Sequence, residues 1–155
     1  MSYVIPDEKA VNELLSIILG DGLSVTANDS PEFESRYIAT FINDENKLVA
    51  VCASDLPFAG FSGAALAMIP VGTVEDCIKA NELTESLSAN FYEIMNICSR
   101  LMLSDTSDHL KLDKTLAPGD LPEGIEELKT NSEVVGFEVD IPRYGAGKMD
   151  FLIAA

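Results

Sequence analysis

Residues 82–103 read ELTESLSANFYEIMNICSRLML, and the period of this stretch decides the fold class. At about 100° per residue, Leu83, Leu87, Phe91, Ile94, Met95, Cys98, Leu101 and Met102 fall on one arc, the pattern of a long helix with one buried face. Glu82, Ser86, Ala89, Glu93, Asn96 and Arg100 fall on the other side, which predicts an exposed polar stripe. Within that stripe Glu93 and Asn96 place a carboxylate and a carboxamide one helical turn apart. A carboxamide both donates and accepts, so the pair has the chemistry to bind a partner and position a water.

Outward from this helix the chain alternates irregularly between helix and strand signals. Toward the N-terminus, Pro6 and Asp7 open a run in which Val11, Leu14, Leu15 and Ile18 recur at helical spacing before Gly20, which predicts a helix over about residues 7–19. A short strand is expected near residues 23–27. Two β-rich runs, residues 36–42 and 47–54, flank Asn43-Asp44-Glu45-Asn46, the turn chemistry of a hairpin. The nearly all-apolar residues 62–69 read as a third, buried strand ended by Pro70 and Gly72. Thr73 with Asp76 resembles a capping box and predicts a short helix through about Lys79.

Toward the C-terminus a strand is expected over residues 110–116 and a Pro-initiated helix near residues 122–129. Val135, Phe137, Val139 and Ile141 then alternate with Gly136, Glu138 and Asp140, the period of a strand with one covered face. Residues 148–154 return as its hairpin partner. Strands and helices do not alternate regularly, so the expectation is an α+β fold with a mainly antiparallel sheet and the long helix packed across one face. A chain of 155 residues with 47% hydrophobic content suits one domain spanning residues 1–155.

Charge excludes several function classes. Ten Lys and Arg against 26 Asp and Glu give a formal charge of −16, which opposes binding to nucleic acid or to an anionic membrane. The first residues lack a basic segment followed by an apolar one, so a cytoplasmic location is expected. Cys52, Cys77 and Cys98 are widely spaced and accompanied by a single histidine, which favours buried free thiols over a disulfide framework or zinc site. His109, in a loop beside Asp108, is assigned no role. Tyr144-Gly145-Ala146-Gly147-Lys148 lacks the spacing of a phosphate-binding loop and reads as a hairpin turn. Glu126, Glu127, Glu133 and Asp140 are too scattered for a calcium loop.

Fourteen Glu and 8 Asn make roughly 0.7 Glu-x-x-Asn pairs expected by chance, so the spacing does not carry a function without its context. That context, an expected strand Phe61-Ser62-Gly63-Ala64-Ala65-Leu66-Ala67-Met68-Ile69-Pro70, a short helix, then a long helix bearing Glu93-Ile94-Met95-Asn96, resembles the CheC/CheX family of chemotaxis phosphatases over roughly residues 36–155. The segment ending at Ala117-Pro118 is also similar to the one after the motif helix in that family. One copy of the motif resembles the CheX branch.

The resemblance implies removal of phosphate from the aspartyl phosphate of a response-regulator receiver domain, in chemotaxis or two-component signalling. By the same carry-over, Asn96 orients the attacking water and Glu93 engages the receiver's active-site lysine. Magnesium is implied on the receiver, with no cofactor bound by this chain. Two positions depart from the family pattern. Ala89 stands where an Asp or Ser is usual and removes a polar group from the contact stripe. Arg100 stands where Gly is usual, and the long cation either obstructs an approaching receiver or pairs with its acidic pocket. A second reading is a non-catalytic adaptor that binds a receiver or a flagellar-switch component through the same face. A third is self-association as a homodimer, through the two-sided apolar strands at residues 37–42 and 48–53 and an edge among the final strands.

Overall fold

The structure, a computed structural model, describes residues 2–155. Helix α1 (Glu8–Leu19) precedes the short strand β1 (Ser24–Ala27), and β2 (Tyr37–Ile42) and β3 (Leu48–Ser54) form a hairpin. Helices α2 (Leu56–Ala67), α3 (Val71–Ala80) and α4 (Glu85–Cys98) follow, the last running on into a 3-10 turn, Ser99–Met102. Strand β4 (Lys111–Leu116), helix α5 (Ile125–Thr130) and the hairpin β5 (Ser132–Ile141) and β6 (Gly145–Ala154) complete the chain. The six strands lie in the order β1-β5-β6-β3-β2-β4. Every pairing is antiparallel, as the α+β reading expects.

One face of the sheet carries Phe41, Cys52, Phe137, Val139, Met149 and Phe151, which bury themselves in a single core with α1, α2 and α4. The other face is covered differently along its length. Ile38, Val51, Ala53 and Leu152 pack with Ile125 and Leu128 of α5, and Phe33 closes over them. Farther along β6, the fully buried Asp150 accepts from Arg36 Nη1 at 3.2 Å, Asn28 Nδ2 at 2.9 Å and the Glu32 N–H at 3.0 Å. Those partners compensate the buried carboxylate and tie residues 28–36 across the strands. The apolar second faces of β2 and β3 are thus occupied from within the chain.

The final hairpin is not an edge either. β5 lies between β1 and β6, and β6 between β5 and β3, which corrects the expectation that a second copy could add there. The outer strands are the four-residue β1 and β4, and β4 carries Lys111, Asp113 and Lys114, charges that oppose pairing with another chain.

The largest departure from expectation is α2. Residues 62–69 are not a strand: residues 62–67 belong to a helix that begins at Leu56, Met68 and Ile69 lie just past its end, and all of Phe58 to Ala64 is buried. A helix buried on every side loses the amphipathic period, and an apolar run then reads equally well as a central strand. The decisive signal was upstream. Asp55 caps the helix by accepting from the Phe58 N–H at 2.8 Å, and Pro57 sits in the first turn. The same carboxylate oxygen accepts from the Lys148 N–H at 3.0 Å, so the cap also fastens α2 to β6.

Boundaries shift for equally local reasons. Helix α3 starts directly after Pro70, without a capping role for Thr73, and ends at Asn81 in the left-handed region. Helix α4 begins after Thr84, whose hydroxyl accepts from the Leu87 N–H at 3.2 Å, rather than at Glu82. Among the described residues no helix is long and apolar enough to cross a membrane.

Helices α2 and α4 cross closely at a glycine. A Cβ added to Gly63 would stand 3.1 Å from the Leu87 carbonyl oxygen and 3.3 Å from Asn90 Cβ, closer than ordinary contact. Gly63→Val is therefore expected to lower stability by about 1–3 kcal/mol in urea unfolding, through overpacking that helix backbones cannot relieve. Gly72→Ala, on α3 where an added methyl meets nothing within 4 Å, should leave stability unchanged or raise it.

A second expectation concerns pH. Burial lifts the Asp55 carboxyl above its ordinary value, against the two N–H bonds that lower it. A raised folded-state value means that this group's contribution is fully present below its unfolded value and is lost as pH rises through the folded one. Asp55→Asn keeps the accepting oxygen and cannot ionise. The stability difference, wild type minus variant, should thus fall as pH rises from the ordinary carboxylate value through the raised folded-state one in denaturant titrations, and a difference that rises would contradict the assignment.

Candidate functional site

Three contacts set the rotation of α4 about its axis. Asn90 Nδ2 donates to the Gly63 carbonyl of α2 at 3.0 Å. Phe91 meets Tyr37 of β2 edge-on, with ring centroids 6.2 Å apart at 68°. The Tyr37 hydroxyl in turn accepts from the Leu83 N–H at 3.3 Å, at the entry to the helix. With Leu87, Phe91, Ile94, Met95 and Cys98 buried, the opposite face of α4 has to point outward.

Glu93 and Asn96 lie on that outward face, both exposed, as the helical period predicts. Neither side chain has a hydrogen bond or ion pair within the protein among the described residues. At (i, i+3) spacing their Cβ atoms are about 5–6 Å apart, close enough for one partner group or one water to meet both. Ala89 is exposed one turn earlier on the same stripe, where its methyl presents no polar atom. Arg100 is exposed too, on the 3-10 turn beyond the end of α4, while Leu101 and Met102 beside it are buried. The structure therefore brings all four residues to one face. Glu93 and Arg100 do not form an ion pair with each other.

Tyr92 was not singled out by its sequence. It is 37% exposed, next to Glu93 and one turn before Asn96, and adds an aromatic surface to the polar stripe. The signal was present, since Tyr92 falls off the apolar arc that the other large side chains of the helix occupy. Asn90, Gly63 and Tyr37, which aim the stripe, carried no such signal because each acts through a contact distant in sequence.

Other candidate chemistries find structural employment. His109 is exposed in its loop with Nδ1 3.4 Å from Asp44 Oδ2, a surface contact. Tyr144 donates from its hydroxyl to the Ile69 carbonyl at 2.8 Å, which anchors the turn between β5 and β6 on the link between α2 and α3. All three cysteines are buried and free. Burial pushes the Cys98 thiol up to about 12 and the Cys52 thiol well above its ordinary value, so both stay protonated and unreactive. No cluster of three or more His, Cys, Asp or Glu side chains suited to a metal ion occurs among the described residues.

No family model matches the chain, and no curated protein does. Solved structures do match. FliM from the FliM–SpeE complex of H. pylori superposes with a TM-score of 0.66 at 10% identity, over 95% of this chain and 81% of that one. FliY from Thermotoga maritima gives 0.61 at 18% identity, over 94% and 83%. A match to the CheX–CheY–BeF3–Mg2+ complex from Borrelia burgdorferi has a TM-score of 0.47 at 13% identity, over 95% and 94%. At these identities the likeness is one of fold, and the chain shares its α+β architecture, an antiparallel sheet with helices packed on it, with FliM and FliY.

Proposed function

We propose that this chain docks through the outward face of α4 on the phosphorylated receiver domain of a response regulator and speeds loss of its aspartyl phosphate. The observation that carries this reading is a carboxylate and a carboxamide, adjacent, exposed and unengaged among the described residues, on a helix whose rotation is held by three part-buried contacts. Groups on such an element meet a partner in one geometry, which is what orienting a nucleophile requires.

An acyl phosphate is already labile, and positioning contributes more than covalent chemistry would. Asn96 accepts from a water and directs it in line with phosphorus. The water oxygen bonds to phosphorus as the bond to the acyl oxygen breaks. The aspartate leaves with that electron pair, and the water's protons end on inorganic phosphate. Glu93 pairs with the receiver's active-site lysine and so fixes the register of docking. Magnesium belongs to the receiver in this scheme, which operates in the cytoplasm.

Binding without hydrolysis is the second reading, favoured by the missing polar group at Ala89. A second copy of the chain is a weaker candidate partner, because the charged β4 and the short β1 are the strands left open to it.

The test is the decay of receiver domains charged with acetyl phosphate, with and without this chain. Acceleration by the wild type is expected, with a loss on the order of 10²-fold in Asn96→Ala. Glu93→Ala should instead weaken binding by about tenfold. Both positions are exposed, so stability should stay within about 0.5 kcal/mol of wild type and the losses can be read as functional. Binding with no acceleration would establish the adaptor, and no binding to any receiver would overturn the proposal.

A further inference from the structure

We infer that Arg100 engages the phosphoryl group itself, as the residue by which this chain distinguishes a phosphorylated receiver from an unphosphorylated one. The inference rests on the receiver reading of the α4 face and adds a specificity-determining contact to it.

The geometry favours contact over obstruction. Arg100 shares the outward face with Glu93 and Asn96, one turn beyond Asn96, and its backbone is held between the buried Cys98 and the buried Leu101 and Met102. Its guanidinium has no hydrogen bond or ion pair among the described residues. Arg36, by contrast, is buried against Asp150 at 3.2 Å and Glu32 at 3.7 Å, a structural role that leaves nothing for a partner. Glu93 is two helical turns from Arg100, about 10 Å along the axis, and is committed in this reading to the receiver's lysine.

Charge points the same way. The chain carries a formal −16 and would repel a dianionic phosphoryl group approaching almost any part of its surface. Beside Asn96 that repulsion is offset by a planar cation with five N–H donors, whose fork matches two phosphoryl oxygens at once. In hydrolysis, charge spreads over the three equatorial oxygens while Asn96 holds the water in line, and Arg100 stabilises that charge without gaining or losing a proton.

A bland role is also available: a cation near the end of a helix interacts favourably with its dipole. That role predicts an effect on stability and none on phosphate recognition, and it is satisfied equally by lysine.

The experiment measures binding of the full chain to one receiver domain, with and without beryllium trifluoride as the phosphoryl mimic, alongside the decay of acetyl-phosphate-charged receiver. Wild type, Arg100→Ala, Arg100→Lys and Asn96→Ala are compared. Wild type should prefer the beryllofluoride form by on the order of tenfold, and Arg100→Ala should abolish that preference while leaving affinity for the uncharged receiver unchanged. Arg100→Lys should retain only part of it, since a point charge cannot replace the fork. Arg100→Ala that binds more tightly or hydrolyses faster, or that matches wild type while Asn96→Ala abolishes hydrolysis, would overturn this inference and leave the receiver reading standing. No action of the wild type on any receiver would remove that reading and this inference together.

Discussion

The close crossing of α2 and α4 at Gly63 is the constraint on which the exposed site depends. A residue without a side chain lets the α4 backbone approach α2, and the Gly63 carbonyl then accepts from Asn90 at 3.0 Å. Those contacts, with Phe91 against Tyr37, leave α4 a single rotational setting. A helix turned by one residue would bury Glu93 or expose Phe91, each at a cost of a few kcal/mol. The polar stripe thus faces outward because the core admits no alternative.

The same economy governs the rest of the molecule. The central strands are closed on both faces by elements of the chain itself, α1, α2 and α4 on one side and α5 with residues 28–36 on the other, while β5 leaves Val134, Glu138 and Asp140 exposed. The edges that remain are short or charged, and the three thiols are buried. The α4 stripe differs in that a carboxylate, a carboxamide and a cation are exposed together with no hydrogen bond or ion pair to them among the described residues. Exposure alone is common on a surface; exposure on a rigid, indexed helix is what gives these groups a defined geometry toward a partner.

Much of this was legible in the sequence because amphipathic elements reveal their buried faces. The long helix, the β2–β3 and β5–β6 hairpins and the antiparallel character all followed from period and turn chemistry. The misreading of residues 62–69 came where that signal vanishes, in a helix buried all round, although Asp55 and Pro57 marked its start. The candidate residues Glu93, Asn96, Ala89 and Arg100 were placed on one face by the helical period. Their orientation relative to the body was not, since it depends on Gly63 meeting Asn90 across 27 positions of chain and Tyr37 meeting Leu83 across 46. No local pattern encodes such contacts.

The central claim, that the outward face of α4 is where a receiver docks, is tested most directly by following amide and Asn side-chain resonances of this chain during titration with a beryllofluoride-activated receiver. The account predicts perturbations concentrated on residues 85–100, with the Asn96 carboxamide and the Arg100 guanidinium among the most affected. Perturbations centred on α5 or β4 with α4 silent, or none at saturating receiver, would contradict it.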